Sequence, residues 1–218
     1  MVIPLTDVSR RPTSFPAATV TIIVINFIVF IVELFSGDAF VLKWSLVPAQ
    51  ISAGQNLITI LTSMFMHGSW SHILGNMVFF WAFGPEIEDS MGRPRYVIFY
   101  LLGGVVAALT QVAVAPHSTV PSLGASGAIA AVMGAFLVTF PKDQIRSLLF
   151  LFVFVTITYI PAIILIGVWF LLQLVSIGTV VSTQTGGIAY AAHVGGMLFG
   201  MIFARLFEVR QTPALSGD

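Results

Sequence analysis

Apolar residues run in six long, nearly unbroken stretches, at residues 17–35, 70–87, 96–114, 126–140, 161–177 and 188–207. They lack the period-2 alternation of barrel strands, so helices are expected. Most approach the roughly 20 residues that carry a helix across a hydrocarbon core. The fourth is short for a full crossing. Residues 148–177 are too long for one span and are interrupted by Pro161, which fits a first helical turn. Span five is therefore expected from Pro161, with 148–160 at the membrane interface. Residues 57–66, inside the long connection after the first stretch, are too few to span and read as an interfacial or re-entrant piece.

Composition supports this pattern. Apolar residues make up 57% of the 218 and charged residues only 8%, against about 25% charge in an ordinary soluble domain. So little charge cannot cover a water-facing surface. Charge placement then orients the chain. Arg10, Arg11, Arg93, Arg95, Lys142, Arg146, Arg205 and Arg210 fall on one side of a six-span drawing, and only Lys43 falls on the other. The positive-inside rule makes the first side cytoplasmic. The expected fold class is all-α, a polytopic membrane protein of six transmembrane helices over residues 17–207. Segments 1–16 and 208–218 are expected on the cytoplasmic side of a prokaryotic plasma membrane. The first stretch exceeds a usual signal-peptide core and has no clean cleavage site after it, so it is expected to be retained. Zero net charge gives no bulk attraction to nucleic acid. The absence of cysteine excludes disulfides, thiolate metal sites and a thiol nucleophile.

Polar residues inside apolar spans are costly unless paired or functional. Three groups stand out. Gly124-Ala125-Ser126-Gly127 opens span four, and its glycines allow a tight turn around a hydroxyl nucleophile. Taken alone, this segment is better explained by close helix packing. His193 lies inside span six, followed by Gly196 and Gly200, a small-residue stripe that admits a close helix. His67, His72 and Asn76 enter span two, with His72 and Asn76 four apart on one helical face. Three imidazoles, with His117 as a remote fourth, are also a metal alternative. No metal or cofactor is expected, because no His-Glu-x-x-His pattern occurs and the outer carboxylates Glu33 and Asp38 have no ligand-like spacing.

Spans two, four and six run in the same direction, so His72, Ser126 and His193 share one depth near the outer face. A serine nucleophile, a histidine base and donors for an oxyanion together make a hydrolytic site. Glu33 lies at similar depth, but nothing places it beside His193, so a Ser–His dyad is preferred to a triad.

Gly-Ala-Ser126-Gly, Ala-His193-x-x-Gly196-x-x-x-Gly200 and His67-x4-His72-x3-Asn76 resemble the three signature motifs of the rhomboid family. The stretch from Phe83 through Glu88 to Tyr100 is similar to that family's second-to-third connection. The resemblance covers residues 17–207. It implies an intramembrane serine protease that cleaves single-span membrane proteins within or beside their transmembrane segments. It also implies that Ser126 attacks, that His193 is base and then acid, and that His72, Asn76 and the Ser126 N–H hold the oxyanion. His67 would support the first loop. A non-catalytic rhomboid-like protein that binds client helices is the alternative, and a small transporter a weaker one. Two departures stand out. Many members carry an aromatic residue four positions after the nucleophile, where this chain has Ala130, and many carry a Trp-Arg pair where this chain has Lys43-Trp44. Ser126, Ala130 and Gly134 are expected to form a small-residue stripe facing Gly196 and Gly200, so that close packing replaces the aromatic brace.

Overall fold

The computed structural model describes residues 2–151, 154–183 and 189–209. Strand β1 (Val2–Asp7) comes first, followed by helix α1 (Ala17–Ser36). Four short helical pieces form the long connection: α2 (Asp38–Trp44), α3 (Pro48–Ser52), α4 (Thr59–Thr62) and a 3-10 turn over Ser63–Phe65. Helices α5 (Trp70–Met91), α6 (Arg93–Val114) and α7 (Ser126–Thr139) follow. Strands β2 (Gln144–Leu151) and β3 (Phe154–Pro161) lead into α8 (Ala162–Thr183) and α9 (Tyr190–Phe207).

The chain is mostly helical, and α1, α6 and α9 are each long and apolar enough to cross a membrane. Helix α7 and residues 162–176 of α8 are shorter apolar helices. Large apolar side chains are exposed along the bundle, among them Ile28, Leu102, Leu171 and Ile202. Such a surface suits lipid and not water, so this is an integral membrane protein. The drawn start of the last stretch, Ile188, and the basic Arg210 lie outside the described residues.

The expectation of an all-α chain is corrected. Strands β1, β2 and β3 form an antiparallel sheet in that order, with Asp7 opposite Ile145 and Gln144 opposite Pro161. Residues 148–160, expected as an interfacial segment, are mostly strand. Val155, Thr156, Ile157, Thr158, Tyr159 and Ile160 are β-branched or aromatic and favour a pleated strand. The pairing partner of β2 comes from the far end of the sequence, which local pattern cannot reveal.

Two ends of the bundle can be told apart. At one, the buried Glu88 carboxylate of α5 accepts from the backbone N–H of Ala18 and Thr19 at 3.0 and 2.7 Å, capping the N-terminus of α1. Arg10 pairs with Asp143 and lies over Phe140, while Arg205 donates to the Val138 carbonyl at 2.7 Å. Gly92, with φ +73°, turns α5 directly into α6 at the same end. At the other end, Leu46 bridges Ser122 and the Gly124 N–H donates to the Ser63 carbonyl at 2.9 Å. Lys43, over the Trp44 ring, belongs to this second end.

Helices α7 and α9 meet backbone to backbone. A Cβ on Gly196 would collide with the Gly127 carbonyl oxygen, one on Gly200 with the Ala131 carbonyl, and one on Gly134 with the Met197 carbonyl. The α7 stripe that faces Gly196 and Gly200 is therefore Gly127, Ala131 and Gly134, not Ser126, Ala130 and Gly134 as expected. The shift follows from helical geometry: at 3.6 residues per turn a strict spacing of four drifts round the helix, and one face carries i, i+4 and i+7. Ala130 is fully buried in the core beside this stripe.

Gly200→Ala should destabilise by about 1–3 kcal/mol or more, because backbone cannot yield as a side-chain tip can. Ala130→Tyr, at a position with no exposure, should do the same. Gly167→Ala in α8, where an added Cβ meets nothing within 4 Å, should be neutral or gain up to about 1 kcal/mol. Thermal unfolding in detergent micelles ranks the three.

Candidate active site

Gly124 turns the chain into α7 with φ +130°, a conformation that favours glycine. Ser126 is the first residue of that helix, so its backbone N–H is among the donors that a helix N-terminus leaves unpaired. Its hydroxyl oxygen lies 2.7 Å from His193 Nε2 on α9. His193 is buried, and its other ring nitrogen, Nδ1, lies 2.7 Å from Gln173 Oε1 on α8. The Trp169 ring, one turn back on α8, packs 5.5 Å from the imidazole at 37°, and Tyr190 meets it edge-on at 6.4 Å.

His72 and Asn76 approach from α5, whose start is capped by Ser69, the hydroxyl accepting from the His72 N–H at 3.2 Å. A Cβ added to Gly124 would lie 2.8 Å from His72 Nε2 and 3.6 Å from Asn76 Nδ2. Both polar side chains thus sit against the backbone that leads into Ser126, and glycine alone leaves them room. His72, Asn76, Gly124, Ser126, Gly127 and His193 line one cavity of ≈ 200 Å³. Gly196 and Gly200 lie on the α7–α9 seam behind it.

His67 sits outside this cavity lining and holds one of its members. The Asn76 amide nitrogen donates to His67 Nε2 at 2.9 Å. Burial, with the nearby His72 adding to it, pushes the His67 imidazole down to about 4. The ring is therefore neutral near pH 7 and can accept. Glu33 does not approach His193. Its buried carboxylate accepts from the His67 backbone N–H, both oxygens at 3.1 Å, and so ties the first connection to α1. His117 is exposed in the connection between α6 and α7, away from the cavity.

Gln173 and Trp169 are the site neighbours that sequence reasoning misses. A signal for Gln173 exists: it is a strongly polar side chain deep in an otherwise apolar stretch, the same cost argument that singles out His193. Trp169 carries no such signal, since an aromatic residue in a span reads as lipid-facing or core. With Ala130 directed into the core, Trp169 supplies the aromatic face beside the imidazole from a different helix.

Residues 54–209 match the rhomboid domain family. Mitochondrial rhomboid protein 1 of Saccharomyces cerevisiae is 32% identical over 152 residues, 67% of this chain and 40% of its own length. The mitochondrial presenilin-associated rhomboid-like protein of Rattus norvegicus is 32% identical over 151 residues, 65% of this chain and 36% of its own. Rhomboid protease GluP of Bacillus subtilis is 32% identical over 78 residues, 36% of this chain and 15% of its own. The chain thus spans about two-fifths, or less, of the length of these relatives.

The His67 hydrogen bond makes stability pH-dependent in a defined direction. A histidine held at about 4 in the folded chain and near 6.5 unfolded contributes stability that is complete above the unfolded value and is lost as pH falls through about 4. His67→Gln keeps an acceptor for Asn76 but does not titrate. Between pH 7 and pH 4.5 the wild type should lose more thermal stability than this variant. Parallel losses would refute the assignment.

Proposed function

The chain belongs to the rhomboid family, and we propose that it is an intramembrane serine endopeptidase that cleaves transmembrane segments of single-span membrane proteins. The observation that carries this reading is the 2.7 Å approach of Ser126 Oγ to His193 Nε2 at the edge of a cavity. Ser126 attacks the scissile carbonyl while its proton passes to His193 Nε2. The imidazolium then returns that proton to the leaving amine, and water repeats the cycle on the acyl-enzyme. The tetrahedral oxyanion forms beside the N-terminus of α7. There the Ser126 N–H, His72 and the second hydrogen of the Asn76 amide supply donors, aided by the positive end of the helix dipole.

The bundle supports six crossings in the membrane: α1, α5, α6, α7, α8 and α9. Helix α7 is short because it begins below the membrane surface, at the depth of the site. The basic end, with both chain termini, is proposed on the cytoplasmic side, and the cavity then opens toward the other face. The plasma membrane expected from the sequence is in tension with the mitochondrial names of the yeast and rat relatives. The rhomboid protease of Bacillus subtilis is a bacterial relative.

A regular helix in lipid keeps its carbonyls in hydrogen bonds, so the substrate must present locally extended backbone. Ser126→Ala and His193→Ala should each abolish cleavage of a single-span substrate, and the double variant should be no worse, because the pair acts as a unit. Asn76→Ala should be milder, losing one oxyanion donor worth at most about 3–4 kcal/mol. A fluorophosphonate probe should label the wild type and not Ser126→Ala. Cleavage retained in Ser126→Ala would overturn the mechanism, and a wild type that neither cleaves nor takes the probe would favour a client-binding role.

A further inference from the structure

A histidine base must carry its single proton on the nitrogen that faces away from the nucleophile. A bare imidazole does not choose between its two tautomers unless a neighbour chooses for it. The neighbour of His193 Nδ1 is an amide, Gln173, whose oxygen and nitrogen could in principle exchange places. A second contact resolves the orientation. Gln173 Nε2 lies 3.4 Å from the Trp169 carbonyl oxygen one turn earlier on α8. A carbonyl can only accept, so the amide nitrogen belongs on that side. The amide oxygen is then turned to the imidazole, 2.7 Å from Nδ1. An acceptor at that distance requires a proton on Nδ1. The neutral ring has no other, so Nε2 presents a lone pair to the Ser126 hydroxyl, which donates across 2.7 Å.

We propose that Gln173 is a positioning residue, holding His193 in the Nδ1–H tautomer and in the ring orientation that lets Nε2 take the Ser126 proton. The proposal rests on the hydrolase reading above for its kinetic consequence, but not for the tautomer itself. The proton balance is simple. The Ser126 proton moves to Nε2, the other proton stays on Nδ1, hydrogen-bonded to the Gln173 oxygen throughout, and the Nε2 proton leaves with the amine.

Burial makes the contact strong. Gln173 is 9% exposed and His193 8%, so the contact is largely shielded from water and an unmet Nδ1–H would be costly. Trp169 lies against the ring and limits its rotation. Trp169 and Gln173 are four residues apart on one face of α8, so a single helix face presents both the aromatic wall and the acceptor. An amide also suits the medium. A carboxylate in the same place would be a charge buried in an apolar bundle, whereas the amide fixes the tautomer with a dipole.

The test uses the full chain in detergent micelles with a single-span peptide substrate. The 15N resonances of His193, assigned by their loss in His193→Ala, should show the Nδ1–H tautomer in the wild type. Gln173→Leu should lose that preference, with kcat falling roughly ten- to a hundredfold and KM unchanged. Gln173→Glu keeps an acceptor oxygen and should recover kcat to within roughly tenfold of wild type. An Nε2–H tautomer in the wild type, or a folded Gln173→Leu with wild-type kcat, overturns the proposal. The wild-type spectrum needs no variant to fold. It also needs no turnover, so failure of the hydrolase reading shows separately, as an absence of cleavage and of fluorophosphonate labelling.

Discussion

The contact on which the site depends is the backbone-to-backbone seam between α7 and α9. No side chain separates Gly127 from Gly196 or Ala131 from Gly200. In lipid, helices gain little from hydrophobic burial against each other, so close van der Waals approach is what holds them. That approach has a chemical consequence. Serine and histidine side chains are short, and they reach 2.7 Å of one another only because the two helix axes come this close. The glycines that make the seam therefore fix the geometry of the Ser126–His193 pair, although none of them belongs to it.

A second constraint is the expense of polarity in an apolar bundle. Several polar groups at the cavity, and behind it, are tied to another element. Glu33 holds the His67 backbone, His67 holds Asn76, and Gln173 holds His193. These links run from α1 through the first connection to α5, and from α8 to α9. The cavity wall comes from α5, α6, α7 and α9 with the connections between them, and these bonds tie that wall to α1 and α8. The long connection is held to the segment that leads into α7 through Leu46 and Ser63, and to itself through Thr62 and the Trp44 carbonyl.

How much of this is legible in the sequence depends on how local its cause is. The long apolar stretches announce their helices, because hydropathy is a property of the stretch itself. Ser126, His193, His72 and Asn76 stand out as polar residues in apolar surroundings, and connectivity brings them to one level. The sheet is not legible, because β1 and β2 are far apart in the chain and neither is conspicuous without the other. The direction of Glu33 is not legible either: its depth can be read, but its partner is a backbone N–H whose position depends on the path of a loop. Gln173 lies between these cases. Its cost in the apolar stretch is visible, but a search for titratable groups around a serine passes over a neutral amide.

Under the proposed hydrolase function, the neutrality of that amide bears on how such a site is built in a low-dielectric medium. In water-soluble enzymes a buried aspartate both orients the histidine and stabilises the imidazolium. Here the two tasks separate. Orientation requires only an acceptor of fixed direction, which Gln173 provides through its second bond to the Trp169 carbonyl. Charge stabilisation falls to the groups that gather when the reaction occurs: the developing oxyanion, on the carbon that Ser126 Oγ attacks, is itself the counter-charge to the imidazolium. The ion pair exists only at the transition state and in the intermediate, so no counter-charge must be kept buried beside His193 at rest. A site built this way rests in a neutral state and becomes polar only when substrate is present, which suits a catalytic pair held among apolar helices.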